Sequence, residues 1–384
     1  MAKVAKKLAK KVPAKKVKPA ASAKGFHPDA AIRSREFKIG CIGAGFIMAD
    51  VHLMAYAKAK FPVVAIASRT KANAAKVAKR WGIKTVHATP HALIEDPEVE
   101  ILDIAYPPDQ QPDLIRHALK QPHIKAILAQ KPLAMDHAEA KRLAAECKAA
   151  GKVLSVNQNM RFDQSMRVLK EILDRGELGE PVLATIEMRA IPHWQPFLKD
   201  YGRLTLLNMS IHHLDVLRFL FGDPAEISTV VRKDPRTEFA HTDGITVSTL
   251  KFPSGLLAVS MEDVWSGPRQ DGFKSDIYIK WRVEGTEGVA QGTIGWPDYP
   301  KGSPSTLSYA SAKTTKGKWV TPKWKTMWFP HAFAGVMEQL QYALATGTPP
   351  MLDGEDNVKT MALVDAGYRS IAEQRTVKLS EFGA

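Results

Sequence analysis

Phe37-Lys38-Ile39-Gly40-Cys41-Ile42-Gly43-Ala44-Gly45-Phe46-Ile47-Met48 is a short apolar run that leads directly into a pair of glycines. A helical pattern continues from there to about residue 60, and residues 63–68 form a second apolar, partly β-branched run. This order predicts a strand, a tight turn, a helix and a second strand. It is the opening unit of a parallel α/β sheet.

The glycine pair matches the first half of a dinucleotide-binding fingerprint. Gly43 would permit the tight turn, and Gly45 would let the backbone approach a pyrophosphate at the N-terminus of the helix. Met48 stands in the place of the third glycine of the fingerprint. An α/β turn that binds no nucleotide is the alternative, and the strand–turn–helix–strand context favours nucleotide binding.

The rest of the chain predicts two folded domains of different class. Strands alternate with helices of about 10–15 residues up to about residue 157, which predicts a Rossmann domain with a doubly wound parallel sheet over residues 34–157. Helices at 162–175 and 208–221, followed by closely spaced strands, predict an α+β domain over residues 158–384 with a large open, mainly antiparallel sheet. Residues 1–33 are expected to form a disordered Lys/Ala-rich tail.

Composition excludes several classes of protein. Of the formal net charge of +14, nine charges come from lysines in residues 1–25, which leaves +5 for the other 359 residues. The tail is interpreted as a solvated segment, with a nucleic-acid-binding arm as the alternative. No apolar run reaches the roughly 18 residues that span a membrane. Two cysteines, Cys41 and Cys147, form no disulfide framework, so we expect a cytoplasmic protein.

Ligands of doubly wound sheets bind at the carboxyl ends of the strands. Ser68-Arg69 ends the second strand, where a carboxylate would be expected to meet the 2′-hydroxyl of NAD. An arginine there suits a 2′-phosphate, so NADP fits at least as well as NAD. The alternatives are stacking of Arg69 on adenine and a surface arginine without a ligand.

Lys131 follows another buried strand, so burial at this cleft would lower its pKa towards the range useful for proton transfer. A solvated charge is the alternative interpretation. Asn208, His212 and Asp215 recur at helical spacing, and His212 suits proton exchange near neutral pH. A satisfied core histidine is the alternative. No metal site is expected, because adjacent His212 and His213 point about 100° apart on a helix.

Over residues 36–380 the chain resembles the glucose–fructose oxidoreductase/inositol dehydrogenase/MocA family. The resemblance is carried by segments that occur in the family's order: Gly43–Ile47, Tyr106-Pro107-Pro108, Gln130-Lys131-Pro132-Leu133-Ala134, residues 157–162, residues 208–215 and residues 285–288. Their joint order is specific, although each segment alone is not. The resemblance implies an NAD(P)-dependent dehydrogenase acting on the CH–OH group of a sugar or cyclic polyol.

The resemblance, together with the strand ends above, implies three sets of site residues. The predicted catalytic residues are Lys131, His212, Asn208 and Asp215. The predicted cofactor-binding residues are Gly43, Gly45, Phe46, Ile47, Ser68, Arg69, Tyr106, Pro107, Gln111, Gln130, Lys131, Asn159 and Arg161. The predicted substrate-binding residues are Lys131, Arg161, His193, Trp194, Asn208 and His212.

Two residues depart from the family pattern. Gln130 and Asn208 stand where the family has carboxylates, so Lys131 should lose its proton more easily and His212 should gain one less readily. This change leaves open a non-catalytic sensor of dinucleotide or sugar. The resemblance implies a further alternative, glycosidic-bond cleavage with transient oxidation by bound NAD. The family also implies a homodimer or homotetramer that associates through the open sheet.

Overall fold

The computed structural model describes residues 25–190, 196–264, 277–295 and 302–383. Within these residues the chain forms a six-stranded sheet and an eight-stranded sheet, each covered by helices. The first sheet is parallel, and the second is mainly antiparallel. This architecture confirms the predicted fold class.

The first sheet is built from the segments that the sequence marks as apolar runs. Its strands are β1 (Ile39–Ile42), β2 (Val63–Ala67), β3 (Thr85–Val86), β4 (Ile101–Ile104), β5 (Ala126–Ala129) and β6 (Val153–Val156). They lie in the order β3-β2-β1-β4-β5-β6. Strands β1, β4 and β5 are buried at every position. Helices cover both faces of a parallel sheet, which explains runs of apolar residues without alternation.

The helices of this domain connect the parallel strands. A π-helical turn, Ile47–His52, leads into α1 (Leu53–Ala59), and the others are α2 (Lys71–Trp81), α3 (Pro90–Ile94), α4 (Gln111–Leu119) and α5 (His137–Ala149). The Asp136 side chain caps α5 by accepting a hydrogen bond of 2.8 Å from the backbone N–H of Glu139. Such a cap satisfies a backbone donor that has no partner within the helix.

Asp103 places a carboxyl group inside the first sheet. It is fully buried in β4, accepts a 2.7 Å hydrogen bond from the Tyr56 hydroxyl, and lies 2.7 Å from His52 Nδ1. The other ring nitrogen of His52 is 3.0 Å from the side-chain nitrogen of Asn157, which directly follows β6. The network therefore links the helix after the glycine turn to the residue at which the first domain ends.

The second sheet is open on one face. Its strands are β7 (Pro181–Ala190), β8 (Glu226–Arg232), β9 (Ile245–Lys251), β10 (Leu257–Val264), β11 (Tyr278–Gly285), β12 (Gly288–Ile294), β13 (Thr306–Ser311) and β14 (Val377–Lys378), in the order β13-β12-β11-β7-β10-β9-β8-β14. The sequence did not predict β13 or β14. Buried and more exposed positions alternate along β9, as expected for a sheet with one covered face.

Helices from three parts of the chain cover the other face of this sheet. They are α6 (Gln164–Asp174), α7 (Ile211–Phe221) and α9 (Gly354–Glu373), and α7 is preceded by a π-helical segment, Leu206–Ser210. Short 3₁₀-helices occur at Asn159–Phe162, Pro196–Asp200 and Leu379–Phe382. No helix among the described residues has the length and apolar character needed to cross a membrane.

Segments near both ends of the chain make contacts between the two domains. A further π-helical turn, Trp328–Ala332, precedes α8 (Phe333–Thr346), which packs against α1 and β5, while α9 packs against α5. Residues 25–33, which the sequence assigned to the tail, contact the second domain. Arg33 Nε donates a hydrogen bond of 2.8 Å to the Glu338 carboxylate, and Gln164 Nε2 donates one of 2.9 Å to the Asp29 carboxylate. The domain boundaries themselves stay a prediction.

Candidate active site

The glycine turn has the two properties that close approach of a dinucleotide requires. Gly43 has a φ of +124°, and a Cβ at this position would lie 2.8 Å from the carbonyl oxygen of Ala105. Gly45 faces open space, so its missing side chain leaves room above the turn. Phe46 is 54% exposed beside it, and Met48 is fully buried in the core. The turn therefore fits a pyrophosphate even without the third glycine.

The end of β2 lies beside the turn because β1 and β2 are neighbouring parallel strands. Ser68 is buried, and its hydroxyl donates a hydrogen bond of 2.7 Å to the carbonyl oxygen of Thr70. Arg69 is exposed and lies near Tyr106, which follows β4. Burial raises the pKa of the Tyr106 hydroxyl, and the charge of Arg69 partly offsets this. Arg69 thus places a positive charge at the carboxyl edge of the sheet.

Gln111 organises the loop that carries Lys131. Its side-chain nitrogen donates to the carbonyl oxygens of Gln130, Pro132 and Leu133 at 2.7–2.9 Å, and its side-chain oxygen accepts from the backbone N–H of Gln130 at 3.0 Å. Gln111 is fully buried. Its amide is therefore occupied by the loop, and these contacts do not support the predicted role in binding cofactor.

Lys131 reaches across to the second domain. Its Nζ donates a 2.5 Å hydrogen bond to the backbone carbonyl oxygen of Asn208, and its backbone N–H donates to the Gln130 side-chain oxygen at 3.1 Å. Burial lowers the pKa of the Lys131 amine from 10.5 to about 7. Such an amine can both give and accept a proton near neutral pH.

Asn208 contributes its main chain to this contact. It lies in the π-helical segment Leu206–Ser210, whose first turn is held by Asp243 through hydrogen bonds from the backbone N–H groups of Leu204 (2.8 Å) and Leu206 (2.7 Å). Isolated π-helical turns are rare and are frequent at functional sites. The sequence predicted one regular helix from residue 208, so this turn and the contact of its carbonyl with Lys131 were missed.

His212 lies in the same region and is 7% exposed. Its Nδ1 is buried and has no hydrogen-bond partner. Burial, the charge of Lys131 and the charge of His213 together lower the pKa of the His212 imidazole well below 6.5. A neutral imidazole is a proton acceptor at physiological pH.

Trp328 packs against His212, and the sequence did not single it out for the site. The two rings meet edge to face at 6.0 Å between centroids, with an interplanar angle of 85°. The indole N–H of Trp328 donates a hydrogen bond of 3.0 Å to the side-chain oxygen of Asn159. Asn159 is buried, and its amide is thus occupied within the protein. No local sequence pattern could have joined residues 159, 212 and 328.

Arg161 and Asp215 form a buried ion pair. The guanidinium donates two hydrogen bonds of 2.7 Å to the two carboxylate oxygens of Asp215 and a third of 2.7 Å to Asp356. Asp215 also accepts from the Thr360 hydroxyl at 2.7 Å. Arg161 is thus used by carboxylates of the protein, and the hydrogen bonds of Asp215 go to Arg161 and Thr360. Their predicted roles in the site stay predictions.

The remaining predicted site residues are Ile47, Pro107, His193 and Trp194. Ile47 is partly buried at the start of the helical segment, and the carbonyl of Pro107 accepts the backbone N–H of Gln111 at 3.1 Å. His193 and Trp194 lie outside the described residues. Within the described part of the chain, no group of three or more His, Cys, Asp or Glu side chains could hold a metal ion.

Two domain families match this chain. Residues 37–158 match the family described as an oxidoreductase family with an NAD-binding Rossmann fold, and residues 166–291 match the GFO/IDH/MocA C-terminal domain. D-apiose dehydrogenase of Rhizobium rhizogenes is 26% identical over 90% of this chain and 98% of its own length. Myo-inositol 2-dehydrogenase of Thermotoga maritima is 26% identical over 79% of this chain and 86% of its own length.

Solved structures show the same fold. An oxidoreductase from Agrobacterium radiobacter, in complex with NAD⁺, L-tartaric acid and magnesium, has a TM-score of 0.75 and 23% identity over 90% of this chain and 99% of its own. The two matched domains together cover more than half of the chain. The chain therefore belongs to the GFO/IDH/MocA family of oxidoreductases, as its sequence motifs predicted.

Proposed function

We propose that this chain is an NAD(P)-dependent oxidoreductase that acts on the CH–OH group of a sugar or polyol. The observation that carries the proposal is the position of Lys131: it follows β5 at the carboxyl edge of the first sheet, its Nζ donates to the Asn208 carbonyl of the second domain, and its charge acts on the buried His212. Relatives named for D-apiose and myo-inositol support this substrate class. When bound, NAD(P) supplies the hydride acceptor of the oxidation.

The chain's own residues would bind the dinucleotide and move the proton. Gly43 and Gly45 leave room for the pyrophosphate, and Arg69 offers a positive charge beyond β2. The neutral Lys131 amine would accept the substrate hydroxyl proton, and His212 would share it. We propose that Phe46, Ile47, Ser68, Tyr106, Pro107 and Gln130 complete the cofactor site, and that His193 and Trp194 contact substrate.

The first test of the proposal is a binding titration with NADH and NADPH. If Arg69 binds the 2′-phosphate, NADPH should bind more tightly, and Arg69→Gln should weaken NADPH binding about tenfold while leaving NADH binding nearly unchanged. Quenching of protein fluorescence measures both affinities. Lys76→Gln, on the exposed face of α2, is the matched control. Equal affinities of the unsubstituted chain for NADH and NADPH would show that Arg69 does not bind the 2′-phosphate. If neither nucleotide bound, the proposed function would be refuted.

Asn208→Asp should move the pH dependence of turnover. A carboxylate at residue 208 would stand beside the Lys131 amine, and a neighbouring negative charge raises the pKa of an amine. Because the neutral amine is the base, the midpoint of oxidation rate against pH should rise above the value of about 7 given by burial. Initial rates from pH 5.5 to 9.5 measure it. Asn208→Leu should show no such rise, and equal midpoints for the three proteins would contradict the assignment.

The open face of the second sheet carries an apolar band that we propose pairs with a second copy of this chain. Leu183 and Leu257 are direct neighbours on β7 and β10, and Val230 pairs with Val247 across β8 and β9. Leu257 is 54% exposed and Val230 is 66% exposed. Exposed apolar patches of this kind mark interaction surfaces.

The double variant Val230→Lys/Leu257→Lys should therefore be a monomer. Light scattering after gel filtration should show a dimer or tetramer for the unsubstituted chain, because burial of the band stabilises association. Met351→Lys changes an exposed apolar residue away from the sheet and should leave the mass unchanged. A monomeric unsubstituted chain would exclude this interface.

We also infer a cytoplasmic location, because both cysteines are free.

A further inference from the structure

A run of lysines lies at one edge of the second sheet. Residues 302–337 contain five lysines and no aspartate, glutamate or arginine, and all five lysines are exposed. They fall within residues 313–325, which we call the lysine segment. This segment follows the edge strand β13, and backbone hydrogen bonds of 2.8 and 2.9 Å join its Val320 to Tyr309 of that strand. The five residues are Lys313, Lys316, Lys318, Lys323 and Lys325.

Most of this positive charge is not neutralised by the protein. Lys313 Nζ lies 2.9 Å from the Glu287 carboxylate. The other four lysines of the segment form no ion pair with a carboxylate of the described residues. On the neighbouring helix α6, the Glu171 carboxylate is bound by Arg175 at 2.9 Å. Four exposed ammonium groups are thus available to an anionic ligand.

The N-terminal part of the chain reaches the same edge. The Phe26 ring packs edge to face against Tyr309 with 5.9 Å between the centroids, and the Asp29 carboxylate accepts a hydrogen bond of 2.8 Å from the Thr326 hydroxyl. Residues 1–24 precede these contacts and carry nine lysines and no acidic residue. Nine further positive charges are therefore attached to the chain at the edge where the lysine segment lies.

We propose that the lysine segment binds single-stranded nucleic acid, and that the lysines of residues 1–24 add contacts with its phosphates. Lysine ammonium groups bind a phosphate backbone without reading its sequence. Trp319 lies within the segment and is 50% exposed. An exposed indole beside phosphate-binding lysines offers a face on which an unpaired base can stack. A duplex cannot use that face without unstacking a base. This binding is separate from the proposed dehydrogenase function.

An anionic membrane surface also attracts lysines, but the lysine segment lacks the apolar face of such a contact. Helices that lie on membranes bury a continuous apolar face in the lipid. The lysine segment contains no helix, and Trp319 is its exposed large apolar side chain. A single exposed aromatic ring among lysines fits a base and its neighbouring phosphates better than it fits a lipid surface.

The test is fluorescence anisotropy of a labelled, mixed-sequence DNA single strand, titrated with the full chain at several salt concentrations. Each phosphate contact contributes about 0.7 to the slope of log affinity against log salt. Lys316→Gln/Lys318→Gln/Lys323→Gln/Lys325→Gln should therefore reduce that slope by about 3 and weaken binding about tenfold or more. Trp319→Ala should weaken binding about tenfold without changing the slope, because it removes stacking and no charge.

The matched control is Lys76→Gln/Lys79→Gln/Lys84→Gln/Lys120→Gln, which removes the same charge from exposed positions of the first domain. It should bind the single strand as the unsubstituted chain does. Replacing all nine lysines of residues 1–24 by glutamine in the full chain should reduce the slope as well. An unchanged melting temperature verifies the fold of each variant.

Three results would overturn the proposal. The first is unchanged binding by the fourfold variant of the lysine segment, or an equal loss in the control. The second is tighter binding of a duplex of the same sequence. The third is binding to phosphatidylserine vesicles without binding to the single strand, which would assign the surface to a membrane.

Discussion

Lys131→Met is expected to lower turnover by about 10²–10⁴-fold, the usual contribution of a positioned general acid or base. The Lys131 amine is the group whose pKa burial brings to about 7, and its hydrogen bond to the Asn208 carbonyl holds it at the junction of the two domains. Methionine matches the length of the side chain but cannot exchange a proton. Single-turnover and steady-state rates with a panel of sugars and polyols measure the loss.

The same variant should bind NAD(P)H nearly as well as the unsubstituted chain and should be no less stable. Folding lowers the Lys131 pKa from 10.5 to about 7, so the unfolded state binds more protons between these values. Stability therefore rises with pH across this window, and Lys131→Met should remove that dependence. Thermal melts at pH 7 and pH 9.5 test this. Normal turnover by Lys131→Met would refute the assignment of the base.

Product and cofactor absorbance, measured in the unsubstituted chain, separate the dehydrogenase from the two other functional hypotheses. Glycosidic-bond cleavage with transient oxidation would form product without a net change in cofactor absorbance. A sensor would bind dinucleotide or sugar without any product. Measuring product and absorbance together in the unsubstituted chain therefore distinguishes all three, and only the dehydrogenase produces both signals in proportion.

Arg161→Met is expected to lower the free energy of unfolding by about 3–5 kcal/mol, because it leaves the buried carboxylate of Asp215 without its partner. Arg161 is 6% exposed and Asp215 is 1% exposed, so water cannot replace the two lost hydrogen bonds of 2.7 Å. Asp356 is affected less, because Arg218 also binds it at 2.8 Å. Chemical denaturation followed by circular dichroism measures the change.

The double variant Arg161→Met/Asp215→Leu is the matched control. Replacing both charges by apolar groups removes the unpaired anion, so much of the lost stability should return. This outcome would establish Arg161 as a structural residue at the domain junction. If Arg161→Met were as stable as the unsubstituted chain but failed to bind cofactor, the ligand role predicted from the sequence would instead be correct.

Local sequence patterns predicted the parts of the protein that depend on neighbours in the chain. The apolar run before Gly43 and the alternation that follows it predicted the parallel sheet, because strand and helix periods are written in consecutive residues. The closely spaced strands after residue 225 predicted the second sheet. The two-residue strand β14 and the strand β13 were missed, since pairing with distant strands defines them more than their own composition does.

The position of Lys131 was predictable for the same reason, since a residue directly after a buried parallel strand must lie at the ligand-binding edge. The hydrogen-bond partners of the polar side chains could not be predicted in this way. Gln111 and Asn159 were assigned to cofactor, yet the first holds the loop of Lys131 and the second holds Trp328. Both amides could serve a ligand or the protein, and sequence alone does not distinguish these uses.

The amino-acid sequence by itself determined the family, the two-domain architecture, the glycine turn and the location of the basic residues 131 and 212. Only the tertiary structure decided what each polar side chain does. Arg161 meets Asp215 and Asp356 across 54 and 195 residues of chain, and Glu262 meets His213 across 49. The physical reason is that backbone periodicity is local, whereas hydrogen bonds and ion pairs in a core join residues that only folding brings together.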